Sequence, residues 1–158
     1  MLPPTFAAAV VLAPAAAFPA VHEAAVTAPV DPVVVEARFV APGAPWEPGH
    51  RGVDLAVGSG APVRALRSGR VAFAGEVAGT PIVSIDHGGW RSTYQPVRAL
   101  VPVGEPVVAG QAIGLLAAEG GHCAGHCLHL GVISPDGYRD PLPLIRGRPI
   151  LKPPAVSR

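Results

Sequence analysis

Lysine is almost absent from this 158-residue chain. Lys152 is the only one, and the 12 basic and 11 acidic residues leave a formal net charge of +1. A balance so near neutral gives no electrostatic footprint for nucleic acid, and one lysine makes no polybasic membrane patch. Cysteine is limited to Cys123 and Cys127, and aromatic residues to 5%. Helical periodicity is missing as well: no 12-residue window holds an apolar stripe free of Gly and Pro, which nearly excludes helices. The apolar run from Phe6 to Ala17 falls short of the roughly 18 to 20 residues a membrane-spanning helix needs. Several chemistries also lack their motifs. His22-Glu23 fails the helical zinc-protease template, because Val26 stands where a second histidine is required. There is no G-x-S-x-G and no phosphate-binding glycine loop followed by lysine, so acyl-serine and nucleotide chemistry have no support.

What is abundant is glycine and proline, 19 and 20 residues. That content approaches the range of disordered chains, yet 49% of residues are hydrophobic, too many for disorder throughout. The placing of the prolines resolves the conflict. Nine precede residue 49, five lie from Pro141 to Pro154, and six occupy the stretch between. This describes one compact Gly-rich domain of roughly 95 residues between Pro-rich flanks. Phe6–Ala17 reads as the apolar region of a secretory signal, with Ala15, Ala16 and Ala17 as the cleavage site. No positive segment precedes it, since the first basic residue is Arg38, so the expectation is a signal whose true start lies further upstream. A plain Ala/Pro-rich leader is the alternative. The expected divisions are a signal-like segment at 1–20, a stiff Ala/Pro-rich linker at 21–32, a domain at 33–145 and a Pro-rich tail at 146–158.

Within the domain, Val33–Val40 is β-branched and apolar, a first strand. Short apolar runs then recur between turn signals: Val63–Leu66, Val71–Ala74, Ile82–Asp86, Arg91–Pro96, Val107–Val108, Ile113–Leu116 and Leu128–Ile133. Many short strands at regular spacing predict an all-β fold, an antiparallel sandwich or partly closed barrel.

Two groups of residues have the chemistry of metal ligands. His50 and Asp54 lie in GHRGVDLAVGSGAPVRA, whose glycines argue against a helix, so the pair belongs to an extended segment entering a strand. Imidazole and carboxylate are both good zinc ligands, and a third would complete a catalytic-type site with an open position. A surface histidine and a turn aspartate would share the same spacing. The second group is the run His122 to Gly131, HCAGHCLHLG. Side chains two apart on a strand share a face, so Cys127 and His129 address one site while Leu128 and Leu130 face the other way.

Taken in order, H-x-x-x-D, GRVAFAG, a Ser-Thr-Tyr strand, VxxGxxVxAGQxIGxL and a final H-L-G strand resemble the lysostaphin/LytM-type zinc endopeptidases of bacterial cell walls, from about Gly49 to Leu144. The resemblance implies that fold, a Zn2+ cofactor held by His50, Asp54 and His129, and a secreted or cell-envelope location. It also implies peptidoglycan peptides, or another cell-wall hydrolase, as partners, and no transmembrane span in the mature domain. Two positions depart from the pattern. The family's catalytic histidine in Y-x-H-L is here Pro96, within Tyr94-Gln95-Pro96-Val97, and the first histidine of its H-x-H pair is Cys127. A positioned acid or base contributes about a hundredfold to ten-thousandfold in rate, so slow turnover is expected, with Tyr94, His122 and His126 as candidate catalytic residues and His87 as a further substitute.

Cys123 and Cys127 admit several readings: a disulfide bracing the loop before the last strand, as an oxidising compartment favours; Cys127 as a fourth, inert-making zinc ligand; a separate soft-metal site with His122 and His126; or free thiols. Three functions compete. One is a zinc metalloendopeptidase cutting peptidoglycan cross-links. Another is a catalytically degenerate regulator of, or binder for, the wall machinery. The third, a lipoyl-type carrier suggested by VVAGQAIGLL, fails because Lys152 lies in the tail rather than in a hairpin turn.

Overall fold

The computed structural model describes residues 25–145 apart from Pro45 and Ala124, together with the backbone of Ile150–Leu151. The signal-like segment and most of the tail fall outside the described residues. In chain order the strands are β1 (Val34–Ala37), β2 (Gly52–Ala56), β3 (Pro62–Arg64), β4 (Gly69–Val77), β5 (Thr80–Asp86), β6 (Arg91–Gln95), β7 (Val97–Ala99), β8 (Pro106–Val107), β9 (Ala112–Leu116), β10 (Cys127–Ser134), β11 (Gly137–Arg139) and β12 (Ile150–Leu151), with one 3-10 turn at Leu142–Leu144. There is no α-helix among the described residues.

The larger sheet runs β12-β1-β2-β10-β6-β5-β4-β8, with β11 paired to β10, and the smaller runs β3-β9-β7. All pairs are antiparallel except β1 with β12. Alternation decides which residues enter the core. Val53 and Leu55 of β2, Leu128, Leu130 and Val132 of β10, and Val83 and Ile85 of β5 point to one face. There they meet Val63, Val97, Ile113 and Leu116 of the smaller sheet in a single cluster. Burying each such aliphatic side chain contributes about 1.5 to 3 kcal/mol, so the apolar faces hold the two sheets together as an open sandwich. Pro96, which has no N–H to donate to a ladder, lies where the chain leaves the larger sheet for the smaller one.

Several elements differ from the sequence reading. The first strand is shorter than Val33–Val40, while β4 extends beyond Val71–Ala74 to nine residues. β7 and β11 have three residues each, too few to leave a periodic signal. Residues 25–32, expected as a linker, lie against the domain. Val30 is buried, and Val26 and Ala28 pack on the core. Thr27 N–H donates to the Leu66 carbonyl at 2.9 Å, and Arg64 N–H to the Pro29 carbonyl at 2.9 Å. The valines alternating with small residues supply apolar groups that composition alone reads as spacer.

Candidate metal centre

The central strands place the ligands through register alone. His129 of β10 lies directly opposite Asp54 of β2 on one side and Gln95 of β6 on the other. His50, Gly52 and Asp54 share a face because they are two apart, and His50 is held in place by a bridge between its backbone and Val40. The core residues Val53, Leu55, Leu128 and Leu130 fill the opposite face, so the alternation that builds the sandwich also turns the side chains of His50, Asp54 and His129 to the other side of the sheet, where Asp54 and His129 are still largely covered.

The three groups converge closely. His50 Nε2 is 3.0 Å from Asp54 Oδ1 and 3.1 Å from His129 Nδ1, and His129 Nδ1 is 2.8 Å from Asp54 Oδ1. Tetrahedral zinc with bonds of about 2.0 to 2.1 Å would hold its ligand atoms about 3.3 Å apart, close to this triangle. His50 Nδ1 lies 2.7 Å from the Arg38 carbonyl. A carbonyl only accepts, so Nδ1 carries the proton and Nε2 turns its lone pair to the site, the outer hydrogen bond typical of metal-bound histidines. Burial pushes the Asp54 carboxyl up. Hydrogen bonds from His129 and His122 and the nearby His50 and His122 outweigh that, and the net result is a pKa below the ordinary 3.8. The carboxylate is thus kept ionised. Two imidazole nitrogens and one carboxylate oxygen fit zinc in both chemistry and spacing.

His122 joins the group: its Nε2 is 2.9 Å from Asp54 Oδ2. The ligand atoms of His50, Asp54, His122 and His129 all lie within 4.8 Å of one another. Nothing in the sequence places it there. Its position comes from the loop before β10, in which Cys123 and Cys127 are joined in a disulfide. That bond removes Cys127 as a thiolate ligand and leaves no free cysteine for a soft-metal site.

The other candidates lie elsewhere. Tyr94, expected to assist the chemistry, faces the core opposite Leu130 and is fully buried. Its hydroxyl accepts from Leu66 N–H at 2.8 Å and is 2.9 Å from Ser92 Oγ, and burial pushes its pKa up to about 12. The same alternation that aims its neighbour Gln95 at His129 aims Tyr94 away. His126 is exposed and groups with Glu36 and Cys127 rather than with His50. His87 bonds to Ser92 Oγ at 2.7 Å and to the Ser68 carbonyl at 3.0 Å.

Sequence reasoning missed Gly52. A Cβ there would lie 2.3 Å from the Leu130 carbonyl oxygen and 2.7 Å from His129 Nε2. Its place midway between the two ligands of H-x-x-x-D was the available signal.

Comparisons with known proteins bear on the family and the fold. The family model described as Peptidase family M23 matches residues 48–141. "Uncharacterized protein Rv2891" of Mycobacterium tuberculosis is 50% identical over 129 residues, covering 77% of this chain and 52% of its own length. The chain therefore spans about half the length of the curated relatives it matches. A zinc-containing peptidase from Vibrio cholerae superposes with a TM-score of 0.64 at 25% identity, over 78% of this chain and 40% of that one. The catalytic domain of the antimicrobial peptidase lysostaphin from Staphylococcus simulans superposes with a TM-score of 0.59 at 26% identity, over 69% and 90% respectively.

Proposed function

Since the chain belongs to peptidase family M23, we propose that it is a zinc-binding, cell-wall-directed peptidase domain acting outside the cytoplasm on the peptides of peptidoglycan, with low turnover. The observation that carries this reading is the triangle of His50 Nε2, Asp54 Oδ1 and His129 Nδ1, with edges of 2.8 to 3.1 Å. When bound, the ion supplies a Lewis acid for a peptide carbonyl and an activated water. The chain's own part is to hold His50 through the Arg38 carbonyl, keep Asp54 ionised, and set Gln95 beside His129 on the open face. The disulfide and the signal-like Phe6–Ala17 support an extracytoplasmic setting. Among the described residues, no helix is long and apolar enough to cross a membrane.

Low turnover follows from two positions. Pro96 has no ionisable group, and the Cys127 sulfur is bonded to Cys123, so neither moves a proton. The same two residues favour a second reading, a degenerate domain that regulates another wall hydrolase. Zinc analysis of the purified domain, with and without His129→Ala, combined with digestion of purified peptidoglycan, tests both. One zinc per chain and slow peptide release, both lost in the variant, support the peptidase. Zinc bound with no release, and stimulation of a second hydrolase, support the regulator. Absence of zinc overturns the metal site.

A further inference from the structure

The disulfide loop does more than cap β10. Gly120 and Gly121 have φ of +102° and +62°, and Gly125 has +80°, a conformation that L side chains rarely adopt. Gly125 is also tightly enclosed, since a Cβ there would lie 2.6 Å from the Ala118 carbonyl oxygen. Cys123 and Cys127 are both buried and bonded to each other. His122 is therefore attached to an anchored residue, and that anchor is covalently joined to the strand that carries His129 two positions later. Its side chain nevertheless keeps 52% of its surface exposed. It stands at the mouth of the site, with its ring centroid 5.1 Å from that of His129 and 5.8 Å from that of His50.

A three-ligand zinc site keeps a fourth position for water or substrate. His122 is the described side chain that overhangs this one from solvent, and its ligand nitrogen lies within 4.8 Å of all three ligand atoms. We propose that His122 is a displaceable fourth ligand, held over the metal by the Cys123–Cys127 loop, so that the resting centre is closed and a peptide must displace the imidazole to enter. The inference rests on the zinc reading above and adds regulation to it. It also assigns a purpose to the cysteine pair, which locates the histidine without touching the metal itself. The exposure of the ring makes displacement feasible, because the side chain moves into water rather than out of a packed core.

The test is X-ray absorption at the zinc edge on the zinc-loaded wild-type domain and on His122→Ala, with no peptide present. Three imidazoles in the wild type and two in the variant are expected. Zinc affinity, measured by competition with a chromophoric chelator, should fall in the variant by about tenfold or more, the scale at which even outer contacts to a metal register. The metal-free variant should still unfold in one cooperative transition, lowered only by the loss of the bond from His122 to Asp54. Two imidazoles in both proteins would overturn the proposal even if affinity falls, because His122 would then act only through Asp54. A wild-type domain that takes up no zinc would instead overturn the metal site itself, which separates the two failures.

Discussion

The ring of His129 occupies the space where a side chain on residue 52 would lie: a Cβ on Gly52 would sit 2.7 Å from Nε2 and 2.3 Å from the Leu130 carbonyl oxygen. The face that carries His50, Asp54 and His129 is thus built by omission as well as by side chains. Gly52→Ala should force β2 away from β10 or swing His129 off Asp54, at a cost of about 1 to 3 kcal/mol, typical of overpacking. Denaturant unfolding together with zinc stoichiometry reads both effects. Gly58→Ala is the control. A Cβ at that position would meet nothing within 4 Å, so the variant should keep both zinc and stability.

Tyr94 separates a core role from a catalytic one. Tyr94→Phe removes the acceptor for the buried Leu66 N–H, and an unsatisfied buried donor costs about 1 to 3 kcal/mol. Stability should drop by that amount while zinc content stays at the wild-type level. An unchanged unfolding midpoint would contradict the assignment of the hydroxyl to the core.

Much of this was legible in the sequence. The all-β class followed from short apolar runs and missing helical stripes, and the order of His50, Asp54 and His129 was visible beside GRVAFAG and the final H-L-G strand. Face assignments across strands were harder to read, because they depend on register. Tyr94 and Gln95 are neighbours in sequence, and only the pairing of β6 with β10 shows that Gln95 meets His129 while Tyr94 meets Leu130. His122 was among the candidates, but its place beside Asp54 was out of reach for a different reason. It stands on a loop whose path is set by positive-φ glycines and a disulfide, and neither leaves a periodic pattern.

His87 should make stability depend on pH. Its Nδ1 donates to the Ser68 carbonyl, an acceptor only, and its Nε2 lies 2.7 Å from Ser92 Oγ, whose own hydrogen is directed to the Tyr94 hydroxyl. Burial is what favours the neutral ring. Burial beneath Trp90 lowers its pKa, the Ser68 carbonyl raises it, Arg67 lowers it and Asp86 raises it, with a net value below 6.5. Because the folded pKa is depressed, the unfolded chain binds a proton first as pH falls. The contribution is therefore complete above about pH 6.5 and is lost below it. Unfolding free energies of the metal-free domain between about pH 8 and 5 should decline less steeply for His87→Gln than for the wild type. Parallel curves would show that His87 does not carry the effect.

The disulfide closes a loop between residues four apart in sequence, for which the chain-entropy estimate gives about 2 kcal/mol. Cys123→Ser with Cys127→Ser should lower stability by about that amount, and unreduced wild-type protein should be two hydrogens lighter than its reduced form by mass spectrometry. Two alkylatable thiols in protein recovered from outside the cell would refute the bond.

The last prediction concerns rate. The resemblance to the cell-wall endopeptidases puts proton-handling histidines at positions 96 and 127, where this chain has a proline and a bonded sulfur. Losing both roles raises a barrier by on the order of 3 to 6 kcal/mol, at about 1.4 kcal/mol per tenfold. Zinc-loaded wild-type domain should therefore cleave wall peptides far more slowly than relatives that carry both histidines. Cys127→His restores an imidazole two residues before His129 on the same strand face, but it sacrifices the disulfide. The variant is best made with Cys123→Ser, so that no lone thiol remains, and combined with Pro96→His. If the triple variant stays folded at the lowered stability expected above, its rate should rise about a hundredfold or more. Reduction of the wild-type disulfide supplies the comparison: releasing the His122 loop without adding histidines should not raise the rate to that extent. Ordinary enzymatic turnover by the wild-type domain, abolished by His129→Ala, would show that another group already does the proton work, and His122 would be the first to replace.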